Sequence, residues 1–271
     1  MFPEIQNKSL STIEVYGIAW RCLKAKYKDL IKILLVIYVP IAILDSLITL
    51  YLFSDMTTIL NLTVAENAVI DDEYMNIFSN LIQNQFLIFL ISVALSIVGR
   101  VAVNHLTYDY VRSKEGVMTI TSRAAISYTF SSYIPLVTTG ILRVFLVILG
   151  YFCFIFPGVY LEMMFVFFPM AVAFRGKKMK EALLYSKHLL RGNVYRLILA
   201  GLIFYTITVT FSFLLPAVEG GTTFIALYTT QFLYSLFAFI SVIFWDIIAT
   251  ILFLNFEATT LKIDVFPEIE N

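Results

Sequence analysis

Charge is scarce in this 271-residue chain: Asp, Glu, Lys and Arg make up 14% of it, where a soluble domain has about 25%. Hydrophobic residues reach 60% against roughly 45–50% in ordinary globules, so a water-soluble fold is excluded. Histidine and cysteine occur twice each. His105 and His188 cannot form a His-Glu-x-x-His zinc helix, and no Gly-x-Ser-x-Gly nucleophile elbow occurs. The Gly176-Lys177 pair has Ala171 where a phosphate loop requires glycine. Cys22 and Cys153, far apart in sequence, read as small apolar residues rather than as a disulfide or nucleophiles. The acidic run Asp71-Asp72-Glu73 reads as a solvated loop before it reads as a cation site. These absences predict a protein that is not an enzyme and has no cofactor and no resident metal. Nineteen basic residues balance nineteen acidic ones, which removes the electrostatic basis for nucleic-acid binding.

What the chain does have is long apolar runs. About 20 apolar residues cross the hydrocarbon core as a helix, and six stretches reach or approach that length: 30–53, 84–107, 133–155, 158–175, 194–216 and 227–254. The first starts too late and lacks the small-residue cleavage site of a signal peptide. Lys and Arg are sorted between the alternate connections. Residues 1–32 carry six, 108–133 three and 175–196 seven, whereas 54–83, Pro157-Gly158 and 217–226 carry none. By the positive-inside rule both termini are cytoplasmic, N-in and C-in. The expectation is a single polytopic domain, residues 1–271, in a plasma membrane.

Before the first, third and fifth runs stand helical-period segments of mixed polarity, which predict interfacial amphipathic helices. Around Ser11–Leu30 the apolar side holds Ile13, Ile18, Trp20 and Leu23, opposite Lys24, Lys26 and Lys28. Aligning Ala19 with Ala125 and Ser186 superposes the start of each following span, so a unit of interfacial helix, outward span, turn and inward span is used three times. The expected fold is all-α: six transmembrane helices in three helical hairpins, each preceded by a cytoplasmic interfacial helix.

A second repetition joins the two ends. Phe2-Pro3-Glu4-Ile5-Gln6-Asn7 matches Phe266-Pro267-Glu268-Ile269-Glu270-Asn271 at five of six positions. Proline favours an extended peptide, with Phe2, Ile5, Phe266 and Ile269 as anchors. The pair reads as a duplicated partner-docking peptide or as two tails that fit equivalent grooves of the bundle; coincidence in frayed termini is the alternative.

The order Ile155-Phe156-Pro157-Gly158-Val159-Tyr160-Leu161, then Phe168-Pro169, then Gly176-Lys177-Lys178, then Glu181-Ala182, Ser186, Leu189-Leu190 and Arg191-Gly192-Asn193 resembles the membrane domain attached to some bacterial glycerophosphoryl diester phosphodiesterases and related stand-alone six-helix bacterial proteins. The likeness covers residues 145–200; the rest matches by topology. It implies a bacterial membrane module without the catalytic barrel, because His105 and His188 are each followed by Leu rather than Arg. The pattern often places a basic residue just after Tyr-Leu, where this chain has Glu162 and Met163.

Charges inside the spans are the remaining clue, since each costs at least about 2.5 kcal/mol at the helix centre unless paired or hydrated. They are Asp45, Arg100, Arg143 and Asp246, with Glu162 near the outer end of the fourth span. Counting depth at 1.5 Å per residue predicts Arg100 with Asp246 and Arg143 with Asp45. Such residues are either interhelical salt bridges or a polar interior for an anionic headgroup or solute, the arginines seeking phosphate through their fork geometry. His105 reads as an interfacial hydrogen-bonding residue rather than a proton relay. The sequence thus predicts a module that engages lipid, with anionic lipids and a cytoplasmic protein as partners. A transporter or channel for a small anion is the rival.

Overall fold

The computed structural model describes residues 5, 8–48, 72–113, 120–213 and 224–261, every element of which is helical. Six helical runs are long and apolar enough to cross a membrane, in the order the hydropathy predicts: Thr12–Ile48, Leu90–Arg112, Tyr133–Cys153, Ile155–Arg175, Val194–Ser212 and Tyr228–Thr260. The protein is a multi-pass membrane protein.

Helix α1 (Thr12–Ile33) is opened by a capping box, the Ser11 hydroxyl taking the Glu14 amide while the Glu14 carboxylate takes the Ser11 amide. It passes without a break into a π-helical turn, Leu34–Tyr38, and on through 39–48. The amphipathic segment and the first span are therefore one helix, not two separated by a turn. Pro40 explains the π turn. Its ring clashes with the carbonyl four residues back and it has no N–H to donate, and just before it Val39 donates to Leu34, five residues back.

Helix α2 (Asp72–Arg112) carries the second span, and α3 (Ser122–Ser131) leads through Ser132 into α4 (Tyr133–Cys153). The chain then turns at Phe154 into α5 (Ile155–Met164). A Cβ on Gly150 would stand 3.0 Å from the Gly158 Cα, so the absence of side chains at both positions lets α4 and α5 approach closely. A second interruption follows at Phe165–Phe167, before α6 (Phe168–Arg175). Pro169 sits in the first turn of α6, where its missing N–H is harmless. Continuing α5 unbroken would drive its ring into the Phe165 carbonyl.

Gly176, at φ 61°, ends α6, and α7 (Met179–Leu190) begins at Met179 with φ 44°. That left-handed conformation disfavours a methionine. It is held by the Thr139 hydroxyl of α4, which accepts the Met179 amide at 2.8 Å. Helices α8 (Val194–Ser212) and α9 (Phe224–Phe256) complete the bundle, α9 passing into a π turn at Glu257–Leu261.

The core centres on α9, which packs mainly on α1 and α2. Ile247, Ile248, Ile251, Phe253 and Phe256 are fully buried there. By contrast α4 and α8 present Phe145, Ile148, Leu202 and Tyr205 outward, which suits helices bathed in lipid. Tyr38 is fully buried against Gly99 of α2: a Cβ at Gly99 would lie 2.7 Å from its ring. Gly99→Ala is expected to cost about 1–3 kcal/mol by overpacking, measured as lost thermal stability in lipid nanodiscs. Tyr38→Phe should cost nothing measurable, because the phenol is buried without a hydrogen-bond partner among the described residues.

Candidate functional site

Arg100 of α2 and Asp246 of α9 meet as expected. The Arg100 Nε reaches both carboxylate oxygens at 3.1 Å, and one terminal nitrogen reaches Oδ1 at 2.8 Å. Asp246 is buried, while the Arg100 side chain keeps 46% of its surface accessible from the side of the bundle. One turn further along both helices, the Thr250 hydroxyl donates to Asn104 at 3.1 Å. The contacts advance together along α2 and α9, so these helices run parallel, as two even-numbered spans must.

The second expected pair does not form. Arg143 of α4 lies 3.6 Å from Glu162 of α5, and Asp45 instead accepts a hydrogen bond from Ser92 at 3.2 Å. The cause is the close α4–α5 packing. Arg143 is about two turns before Gly150 and Glu162 about one turn after Gly158, so roughly one turn of depth separates them, which the long arginine side chain spans. The Arg143 guanidinium lies over the Phe168 ring at 5.8 Å, its Nε is buried without a partner among the described residues, and Arg100 is within electrostatic reach. His105 is wedged between the rings of Tyr128 and Phe174, with Nε2 buried and unpartnered among the described residues. That nitrogen does not make the hydrogen bond expected of it.

Three further polar contacts form at the basic end of the bundle, between residues that the sequence does not pair. Lys26 of α1 pairs with Asp109 of α2 at 3.1 Å, and Asp109 also takes the Ile120 amide. Arg175 grips Glu257 with two hydrogen bonds of 2.9 and 2.7 Å, and the Tyr185 hydroxyl donates to the same carboxylate at 2.5 Å. Burial and that carboxylate push the Tyr185 phenol above its ordinary value. Ser186 of α7 staples the break in the fourth span: its hydroxyl donates to the Met164 carbonyl at 2.7 Å and accepts the Phe167 amide at 3.1 Å. Only the closeness in depth of basic and acidic residues could have signalled the two ion pairs.

On the outer side of α7 a cleft of about 950 Å³ opens between α5, α7 and the start of α8. Tyr160, Met164 and Val194 form an apolar wall, and Lys177, Lys187 and Arg191 a basic rim, with His188 and Glu181 beside them. Lys177, Lys187 and Arg191 form no ion pair among the described residues. The cleft therefore carries an uncompensated positive charge beside a surface suited to hydrocarbon. Tyr160 and the Lys177–Asn193 stretch that build it lie in the segment on which the family resemblance rests.

Among the described residues no group of three or more His, Cys, Asp or Glu side chains could hold a metal, and Cys22 and Cys153 are free thiols. Of the six residues expected in docking peptides, Ile5 alone is described, fully buried in the bundle; Phe2, Pro3, Phe266, Pro267 and Ile269 lie outside the described residues. Comparison with protein-family models, with curated proteins and with solved structures finds no match to the chain.

Proposed function

We propose that this chain is a non-enzymatic module of a bacterial plasma membrane, both termini cytoplasmic, that engages anionic phospholipid. The observation that carries the reading is the cleft beside α7, where an unpaired basic rim meets an apolar wall. A phosphate belongs at Lys177, Lys187 and Arg191, and the acyl chains along Tyr160, Met164 and Val194, with α5 and α8 open to the bilayer. The sorting of Lys and Arg along the sequence puts this rim on the cytoplasmic side, where anionic headgroups attract each nearby Lys or Arg by about 1 kcal/mol. Three hairpins and an organising role toward a cytoplasmic partner belong to the same proposal, as does kinship with the phosphodiesterase membrane domains. The paired state of Arg100 and Asp246 supports a structural role for the interior charges.

Native mass spectrometry from nanodiscs containing phosphatidylglycerol and phosphatidylcholine tests the lipid reading. The wild type is expected to retain the anionic lipid, and Lys177→Gln/Lys187→Gln/Arg191→Gln to hold it on the order of a hundredfold more weakly, three contacts of about 1 kcal/mol each. Equal retention of both lipids by the wild type would defeat the reading.

A second reading is favoured by one feature, the break in the fourth span beside Phe168, over whose ring Arg143 lies with a buried Nε that has no partner among the described residues. Broken spans and surplus donors are what an anion transporter uses. Phosphate flux into proteoliposomes that Arg143→Gln abolishes would decide for it.

A further inference from the structure

Positive charge is not spread evenly along the cleft beside α7. Glu181, Leu184, His188 and Arg191 follow one another at helical spacing on the face of α7 that lines it, with Lys187 beside them and Lys177 just before the helix. Lys177 shares its end of the cleft with Glu181. Lys187, His188 and Arg191 gather at the other end, about 9–15 Å from Glu181 at 1.5 Å per residue, and all three are exposed. Neither Lys187 nor Arg191 forms an ion pair among the described residues.

The helix ends do not absorb that charge. The C-terminal end of α7 carries about half a negative charge and the N-terminal end of α8 about half a positive one, and a short turn through Gly192, at φ 88°, joins the two. They cancel, so the charge of Lys187 and Arg191 stands uncompensated. The start of α8 is also open. Asn193 holds its cap position but turns away: its side-chain nitrogen donates to Thr260 at 2.7 Å and to the Leu189 carbonyl at 3.4 Å, while its oxygen faces Arg196. No side chain therefore caps the first amides of α8, and Gly192 and Val194 on either side of Asn193 line the cleft.

A phosphomonoester fits this corner better than the phosphodiester of most bilayer lipids. It carries about −1.5 to −2 charges near neutral pH and presents three strong acceptor oxygens, whereas a diester has a lower charge and one free oxygen fewer. Resting on the lipid reading above and narrowing it, we propose that Lys187, His188 and Arg191, with the start of α8, bind a lipid whose headgroup is a terminal phosphate. The phosphate meets the two cations and the imidazole, and the hydrocarbon runs along Tyr160, Met164 and Val194.

Native mass spectrometry of the full chain reads the preference, from phosphatidylcholine nanodiscs with equal small fractions of phosphatidic acid, phosphatidylglycerol and cardiolipin. Phosphatidic acid is the monoester and phosphatidylglycerol a singly charged diester. Cardiolipin joins two diesters, matching the monoester's charge without its terminal phosphate. Phosphatidic acid is expected to be retained over both others by about tenfold. Lys187→Gln/Arg191→Gln should bring that ratio close to one. Lys178→Gln/Lys180→Gln, which removes equal charge from the start of α7 outside the cleft, should leave it unchanged. All these side chains are exposed, so loss of folding does not enter the comparison. Equal retention of phosphatidic acid and phosphatidylglycerol, both above phosphatidylcholine, would overturn the monoester site and leave the lipid reading standing. Cardiolipin held as well as phosphatidic acid, or an equal effect of the two double variants, would overturn it as mere attraction of charge. Displacement of phosphatidic acid by an equal concentration of glycerol phosphate, a monoester without hydrocarbon, would overturn the lipid as occupant.

Discussion

Asp246→Ala is expected to destabilise the bundle by about 3–5 kcal/mol, the largest effect of any single substitution at its polar contacts. The carboxylate is 2% exposed and accepts three hydrogen bonds from Arg100. Its removal leaves a guanidinium on the side of the bundle, inside a span where the surroundings are hydrocarbon rather than water, with no acid to answer it. The loss of the pair as a pair is different. Continuum arguments and measurements on other proteins make a buried ion pair roughly interchangeable with well-packed apolar groups, so Arg100→Leu/Asp246→Leu should recover most of the stability lost by the single change. Thermal unfolding of the wild type, Arg100→Leu, Asp246→Leu and the double variant, followed by size-exclusion recovery, closes the double-mutant cycle. A single-site loss below about 1 kcal/mol, the range of exposed ion pairs, would show that Arg100 finds water or lipid phosphate instead. That result would move the interior arginines toward the transport reading.

Glu257→Ala is expected to come second, at about 3 kcal/mol. Glu257 is fully buried and gathers three hydrogen bonds, two from Arg175 and one from Tyr185. It ties the end of α6 and the middle of α7 to the π turn that ends the central helix. The Arg175 side chain retains 23% exposure, so water can reach part of the orphaned cation and the cost stays at the lower end of the range for buried pairs. The consequence is local as well as global: α7 loses an anchor, and with α7 moves the basic rim of the cleft. Hydrogen exchange should rise throughout Met179–Leu190 in Glu257→Ala. Tyr185→Phe, which removes only one hydrogen bond to a charged group, should cost about 1.5–3 kcal/mol. If both variants left α7 protection unchanged, Ser186 and the apolar residues of α7 would be its sufficient anchors.

The two predictions depend on pairings of different legibility. Arg100 and Asp246 can be matched by counting depth, because both lie well inside spans whose ends are clear in the hydropathy. Glu257 is invisible as a partner, because it stands where a span ends and an acid near water needs no explanation. The same depth argument matches Arg143 to Asp45, and the structure gives it Glu162. The amphipathic run before the first span is legible as a helix, but not its continuity with the span, which the π turn at Pro40 permits. Pro169 is legible as a kink, but not as a full break sealed by the hydroxyl of Ser186 from the next helix.

Residue order alone carries the six apolar runs, the sorting of basic residues between alternate connections, the lack of catalytic and metal-binding motifs, and the near identity of the two terminal hexapeptides. All of these depend on composition averaged along the chain or on plain residue identity. It took the packed helices to show which neighbours answer Arg143, Arg175 and Arg196, that a basic cleft forms beside α7, and that Asn255 holds the main chain of Ile5, Lys8 and Leu10. Hydropathy is unchanged when a helix rotates about its axis, yet each residue turns the side chain by about 100°. Whether two charges meet is fixed by that rotation and by the packing of small residues such as Gly99, Gly150 and Gly158, which no average along the chain contains.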